Sequence, residues 1–222
     1  MSSWNISVDS RGRSGVENMT LDNALLDQAL ESGGAFLRLY RWDPPTLSIG
    51  RNQQNVFKHV PVVRRPTGGQ AVWHEHEVTY AVAAPVALYG SLRNAYCQIH
   101  EHIAAALRSL GVYSVLAERQ GVSPSRRLAS CFAVPVGGEI LVNGRKLVGS
   151  AQVRRQNAFL QHGSILLAGS QPGDGREITM VAALGRPVTF DEVARAIIAH
   201  WPSLPSYRPT VLPPVIASPA AR

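Results

Sequence analysis

The Asn143-Gly144 pair is the sequence feature that most constrains the fold. It separates two strand-like runs, residues 139–142 and 145–152. Asn-Gly is the preferred centre of a two-residue type I′ turn, because both turn positions require positive φ. We therefore predict a β-hairpin here. The apolar run at 158–167 is expected to pair beside the return strand, which predicts a sheet with antiparallel neighbours.

Helical periodicity appears in three segments, each preceded by a Ser or Thr that can serve as an N-cap. These are 21–32 after Thr20, 92–110 after Ser91, and 190–201 after Thr189, where Glu192 completes a capping box. Short strand-like runs lie at 36–40, 46–49, 60–63 and 77–83. Helices and hairpins in this mixed order predict an α+β fold with mixed, largely antiparallel sheets flanked by helices.

The domain organisation follows from where this periodicity begins and ends. The 222 residues, 45% of them hydrophobic, suit one folded domain. We predict a flexible Gly/Ser/Arg-rich arm at 1–16, the domain at 17–201, and an extended tail at 202–222, where six prolines rule out regular structure. Without a secretory or membrane-spanning segment, we expect a cytoplasmic protein that does not bind membranes.

The charge predicts an acidic partner. Lys and Arg total 22 against 15 Asp and Glu, which gives a formal net charge of +7. Nucleic acid is one class of acidic partner, but the arginines are scattered and do not form the run or stripe typical of a nucleic-acid-binding surface. An acidic protein fits the charge equally well.

A glycine-containing segment is a candidate anion site. Residues 64–71 read Arg-Arg-Pro-Thr-Gly-Gly-Gln-Ala after a strand-like run. Consecutive backbone N–H groups in such a turn can hold a carboxylate or phosphate beside a fixed arginine charge. The alternative is an ordinary Gly-Gly turn with exposed arginines, and the segment matches neither a P-loop nor a dinucleotide fingerprint.

The His74-Glu75-His76-Glu77 sequence invites a metal interpretation. On a strand, His74 and His76 would share a face as metal ligands can. No third ligand is evident in the sequence, so we expect no metal and one polar site histidine, His74.

Lys146 and Cys131 are the residues most open to covalent chemistry. Lys146 on the return strand either faces solvent, or pairs with a carboxylate, an acyl carbonyl or a phosphate, or loses its proton, because burying an unpaired ammonium is costly. Cys131 is either an inert packed thiol or one whose pKa the ammonium lowers, so that the thiolate can accept an acyl group. Cys97, within the predicted helix 92–110, is expected only to pack. The polar cluster 161–164, Gln-His-Gly-Ser, either lines a pocket or marks a bulge.

Five segments in order resemble the lipoate-protein ligase A and octanoyltransferase family of the biotin/lipoate protein ligase superfamily. They are Asn18-Met19-Thr20-Leu21-Asp22, Pro44-Pro45-Thr46-Leu47-Ser48-Ile49-Gly50, the 64–74 segment ending in Ala71-Val72-Trp73-His74, Gly144-Arg145-Lys146-Leu147-Val148-Gly149-Ser150-Ala151-Gln152, and Leu160-Gln161-His162-Gly163-Ser164. The resemblance spans about 17–167 and is closest to the cysteine-dependent octanoyltransferases.

The resemblance implies the catalytic-domain fold of that superfamily over 17–201, with an acyl tunnel between the Arg-Gly-Gly loop and the lysine hairpin. It implies Cys131 as nucleophile and Lys146 as its partner. The substrate-binding residues that it implies are Arg64, Arg65, Thr67, Gly68, Gly69, Gln70, Ala71, His74, Gly149, Ser150, Ala151, Gln152, His162 and Gly163.

The activity implied is octanoyl or lipoyl transfer in lipoate assembly. Octanoyl-acyl carrier protein would donate the acyl group to Cys131, and a lysine of a lipoyl domain, such as glycine cleavage H protein or a dehydrogenase E2 subunit, would accept it. This chemistry needs no cofactor, and nucleic acid is then not needed to explain the charge. One alternative is an ATP-dependent lipoate-protein ligase, which would use ATP and Mg; the chain ends soon after the domain, without the accessory domain of many ligases, and this favours the transferase. A second alternative is a non-catalytic lipoyl-domain binder.

Overall fold

A seven-stranded sheet forms the centre of the structure, a computed structural model that describes residues 4–117, 138–171 and 175–202. Its strands lie in the order β1-β2-β6-β10-β9-β8-β7. They are β1 (Trp4–Arg13), β2 (Ala35–Trp42), β6 (Glu77–Pro85), β7 (Val115–Leu116), β8 (Ile140–Val142), β9 (Arg145–Arg155) and β10 (Ala158–Leu166). Only the β1–β2 pair is parallel among the described strands of this sheet.

A second, three-stranded sheet has the order β4-β3-β5. Its strands are β3 (Thr46–Ile49), β4 (Val62–Arg64) and β5 (Val72–His74). The loop between β4 and β5 carries the Thr-Gly-Gly turn, so this small sheet places the predicted anion loop.

Helices cover both faces of the large sheet. They are α1 (Gly15–Ser32), α2 (Leu92–Ser109), α3 (Met180–Leu184) and α4 (Phe190–His200), with a 3-10 turn at Val86–Leu88. Alternate residues of β6 point to opposite faces. Val78, Tyr80 and Val82 join the larger core with α2 and α4, whereas Ala81 and Ala83 join a smaller core with α1. No helix within the described ranges is long and apolar enough to cross a membrane.

The predicted hairpin is confirmed. Asn143 and Gly144 have φ of 50° and 73°, and β8 and β9 are antiparallel across them. The strand after them, β10, pairs antiparallel with β9 as expected. The Ser91 and Thr189 caps are also present. The Ser91 side chain accepts the backbone N–H of Asn94, and the Thr189 side chain accepts that of Glu192. The α+β class is confirmed with them.

The prediction of a flexible arm at 1–16 is wrong for Trp4–Arg13, which forms β1. This edge strand alternates Trp4, Ile6 and Val8 with polar residues, the pattern of a strand with one buried face. Trp4 and Ile6 are buried, and the Trp4 ring meets the Trp201 ring edge-on at 5.3 Å. Because Ser14 caps α1 through a capping box with Glu17, the helix begins at Gly15, earlier than the predicted Thr20 cap. Residues 203–222 of the predicted tail lie outside the described residues.

Replacing Trp4 with alanine tests whether β1 stabilises the domain. We expect Trp4→Ala to lower the free energy of unfolding by about 3–5 kcal/mol, because it removes a large buried side chain and leaves a cavity. Ser10→Ala, at an exposed position of the same strand, should change it by less than about 0.5 kcal/mol. Urea unfolding measures both variants. Equal, negligible effects would mean that β1 contributes no packing.

Candidate functional site

A cavity that is partly open to solvent lies where the small sheet meets the large one. Helix α1 and strands of both sheets form its wall. The wall residues are Met19, Tyr40, Trp42, Arg65, Val72, His74, Thr79, Gly149, Ser150, Ala151, His162, Gly163 and Ser164. Apolar and aromatic side chains therefore meet a limited set of polar groups, which is the usual make-up of a small-molecule site.

The arginine loop is held by its own side chain. Arg65 is buried, and its Nη1 donates to the carbonyl oxygen and Oγ of Ser48 at 2.9 and 2.8 Å. Its Nη2 donates to the carbonyl oxygens of Gly68 and Gln70 at 3.0 and 2.9 Å. The guanidinium thus fixes the turn around Gly68 while also lining the cavity, and brings a permanent positive charge to the wall.

His74 lies at the end of β5 with both ring nitrogens engaged. Nδ1 is 2.7 Å from Glu77 Oε1, and Nε2 is 2.6 Å from Ser48 Oγ. The ring stacks on Trp42 with centroids 3.9 Å apart. Burial lowers the pKa of His74, opposed by the Glu77 carboxylate. The imidazole is therefore a rigid, uncharged part of the wall.

His162 on β10 is held in a similar way. Its Nδ1 lies 2.8 Å from Asp22 Oδ2 on α1, and its Nε2 lies 2.7 Å from Thr67 Oγ1 in the arginine loop. This one side chain therefore connects the helix, the large sheet and the loop from the small sheet.

Gly149, Ser150 and Gly163 form the floor of the cavity where β9 and β10 pair. Gly163 is required for this close approach, because a Cβ there would lie 2.3 Å from Ser150 Oγ and 2.6 Å from the Gly149 carbonyl oxygen. Ser150 Oγ is also 2.6 Å from the Tyr80 hydroxyl and 2.8 Å from His100 Nε2. Burial lowers the pKa of His100 to about 4, so its imidazole is neutral near pH 7.

Lys146, at the start of β9, is 1% exposed and pairs with Glu139, which is 2% exposed. Their Nζ and Oε1 atoms are 2.5 Å apart. Glu139 is therefore the carboxylate partner of the buried lysine, one of the alternatives predicted from the sequence. Lys146 shares its side of β9 with Val148 and Ser150, and it is not among the wall residues of the cavity. Its ammonium lies near enough to His100 to contribute to the lowered pKa of that imidazole.

The other predicted site residues are placed differently. Arg64 donates to three carbonyl oxygens of the 50–53 loop, and Gln152 donates from Nε2 to Gln161 Oε1 at 2.7 Å. Gly69 has φ of 96°, and Ala71 packs in the small-sheet core. Substrate contacts of these residues remain predictions. Cys131 lies outside the described residues, so its pairing with Lys146 also remains a prediction. Cys97 is partly buried in α2.

Several polar wall and support residues were not among the predicted site residues. They are Asp22, Ser48, Glu77, His100, Glu139 and Ser164. Asp22, Ser48 and Ser164 do lie inside the motif segments, so their sequence position was a usable signal. His100 and Glu139 gave none, since they become recognisable only when α2 packs on the hairpin.

The metal interpretation of the His74 segment gains no geometric support. His74 is buried, whereas the His76 side chain is 58% exposed beyond the end of β5. Within the described ranges, no group of three or more His, Cys, Asp or Glu side chains is arranged to hold a metal ion.

The fold is similar to that of solved lipoate-protein ligases. A lipoate-protein ligase A solved with ATP bound matches it at a TM-score of 0.68 and 20% identity, covering 90% of this chain and 84% of that one. A bipartite lipoate protein ligase from Thermoplasma acidophilum, studied with its E2 lipoyl domain, matches at 0.61 and 19% identity, covering 90% and 82%. At these identities the likeness concerns the fold alone.

The amino-acid sequence identifies the family to which the chain belongs. Residues 14–179 match the model for the lipoyl protein ligase A/B catalytic domain, and the chain therefore belongs to that family. An octanoyltransferase LipM from Carboxydothermus hydrogenoformans is 42% identical over an alignment of 180 residues that covers 75% of this chain and 66% of that protein. The matched part thus spans just under two thirds of that relative's length. The resemblance found in the motifs is confirmed.

Proposed function

We propose that the protein is an octanoyltransferase that moves an octanoyl group from acyl carrier protein, through a thioester on Cys131, to a lysine of a lipoyl domain. The observation that carries this proposal is the cavity between the two sheets, whose wall combines apolar side chains with the Arg65 loop and the β9–β10 floor. The likeness to a relative named octanoyltransferase supports the choice of acyl group.

Two substitution steps at the acyl carbonyl make up the reaction. In the first, the Cys131 thiolate attacks the donor thioester, a new C–S bond forms, the C–S bond to the carrier breaks, and the carrier leaves as a thiolate that takes a proton from water. In the second, the neutral amine of the acceptor lysine attacks the Cys131 thioester; an amide forms, the Cys131 thiolate leaves, and the amine proton is released. Each step passes through an oxyanion that needs nearby N–H donors.

Two buried cations among the described residues support the proposal. Lys146 provides a compact ammonium that pairs with Glu139 at 2.5 Å. Arg65 provides a fixed cation on the cavity wall. The net charge of +7 would attract acidic carrier and lipoyl domains and raise the rate of their association.

Intact-protein mass spectrometry without ATP tests the proposal. After mixing with octanoyl-acyl carrier protein, the chain should gain the mass of one octanoyl group, and this mass should disappear when an acceptor lipoyl domain is added. The matched control is octanoate in place of the carrier thioester, which should leave the mass unchanged.

Two other results would each replace the proposal. Acylation of the lipoyl domain only with ATP and Mg would favour the ligase, the chemistry suggested by the ATP-bound structural relative. Binding of a lipoyl domain without acyl transfer under either condition would mean a non-catalytic binder.

A further inference from the structure

Asp22 is a fully buried carboxylate held by three donors. Arg38 Nη1 lies 3.1 Å from Oδ1, while the Tyr40 hydroxyl and His162 Nδ1 lie 2.9 and 2.8 Å from Oδ2. Arg38 is itself fully buried and cannot lose its proton, so the pair is ionic. The position and charge of Asp22 are therefore fixed by the core of the protein.

This carboxylate determines the tautomer of His162. An ionised carboxylate only accepts hydrogen bonds, so His162 Nδ1 must carry the proton that points at Asp22. In the neutral imidazole Nε2 is then an acceptor, and the Thr67 hydroxyl at 2.7 Å donates to it. The result is a directed chain from Thr67 through His162 to Asp22.

The geometry resembles a nucleophile triad, but the location of the hydroxyl argues for a different role. Thr67 is fully buried and is not part of the cavity wall. Its carbonyl oxygen accepts the N–H of Arg51 at 2.8 Å, and Arg65, two residues earlier, lines the cavity. Thr67 is therefore the point at which the arginine loop is attached to the large sheet.

We propose that Asp22 is a positioning residue: by fixing the Nδ1–H tautomer of His162, it holds Thr67 and the 65–69 loop in the arrangement that binds the acyl chain. This inference rests on the proposed function for the identity of the ligand, an eight-carbon acyl group. The hydrogen-bond chain itself does not depend on it.

Substitutions at Thr67 test the hydrogen-bond chain without disturbing the Asp22–Arg38 ion pair. Thr67→Val keeps the size of the side chain but removes the donor, leaving His162 Nε2 without its partner. We expect the Kd for octanoate, measured by titration calorimetry, to rise roughly ten-fold in this variant. Thr67→Ser keeps the hydroxyl and should stay within about three-fold of the original protein. Equal Kd values for Thr67→Val, Thr67→Ser and the original protein would overturn the proposal.

Asp22→Asn tests the direction of the hydrogen bonds from Thr67 through His162 to Asp22. Arg38 only donates, so the asparagine oxygen must face it, and the amide NH₂ then faces His162 Nδ1. His162 should therefore change to the Nε2–H tautomer, as seen in long-range ¹H–¹⁵N spectra of histidine-labelled protein. The matched control is Asp27→Asn, at an exposed residue of the same helix that pairs with Arg155, and it should leave the His162 spectrum and octanoate binding unchanged.

The two substitutions together separate this proposal from a purely structural role. If Asp22 acts through Thr67, the effect of Asp22→Asn on octanoate affinity should largely disappear in the Thr67→Val background. Full additivity, or an Nε2–H tautomer in the original protein, would contradict the proposal. Failure of the proposed function has a different signature: the tautomer and the octanoate Kd would behave as described, but no acyl group would be transferred from the carrier protein.

Discussion

Replacing Cys131 with alanine is expected to abolish octanoyl transfer, with a loss of at least about a thousand-fold in rate. The proposed pathway forms its covalent intermediate on this thiol, and removal of the nucleophile from a group-transfer enzyme leaves only the contribution of binding and electrostatics. Mass spectrometry should show no acylated protein in this variant after mixing with octanoyl-acyl carrier protein. Transfer to a lipoyl domain should be lost in parallel.

Cys97→Ala is the matched control, because it removes the other cysteine of the chain. Cys97 lies in the middle of α2, and its Sγ is 3.5 Å from where a side chain at Gly138 would begin. Its role is packing, so both acylation and transfer should persist in the variant. Acylation that survives Cys131→Ala and requires ATP would instead identify a ligase.

The sequence predicted those parts of the fold that depend on local rules. The type I′ turn at Asn143-Gly144 and the caps at Ser91 and Thr189 each require particular residues at particular positions, and each is present in the structure. β1 was missed because its serines, glycine and arginines resemble a loop by composition. The alternation of Trp4, Ile6 and Val8 was the better indicator, since a strand at a sheet edge needs only one apolar face.

The site was predicted where it consists of motif residues and missed where it depends on distant contacts. Several predicted residues do line one cavity; they are Arg65, His74, Gly149, Ser150, Ala151, His162 and Gly163. The partner of His162, Asp22, is 140 residues away along the chain. No local pattern indicates that a helix carboxylate will meet a strand imidazole, because that contact is decided by how α1 packs on the sheet.

The second prediction with a large effect concerns Lys146. Lys146→Arg keeps the positive charge but replaces a compact ammonium with a wider, planar group in a site that is 1% exposed. We expect this variant to lose most of its transfer activity, because the guanidinium cannot occupy the same space beside Glu139 and a reacting thioester.

Lys146→Ala needs a stability control because of Glu139. Removing the lysine leaves a buried carboxylate without the ammonium 2.5 Å away, which typically costs about 3–5 kcal/mol of stability. The double variant Lys146→Met/Glu139→Leu removes both charges and fills the space, so it should recover much of the thermal stability. Activity should remain lost in the double variant, which separates the chemical role of the ammonium from its role in folding.

The thiolate population of Cys131 gives the most direct measurement of the lysine's effect. An ammonium near a thiol favours the thiolate and lowers the thiol pKa, so loss of the ammonium should raise it. Alkylation of Cys131 by iodoacetamide, followed in a Cys97→Ala background, should therefore shift to higher pH in the Lys146→Met/Glu139→Leu variant. An unchanged alkylation profile, together with near-normal turnover of Lys146→Arg, would show that Lys146 and Cys131 do not act as a pair, even if the protein transfers octanoyl groups.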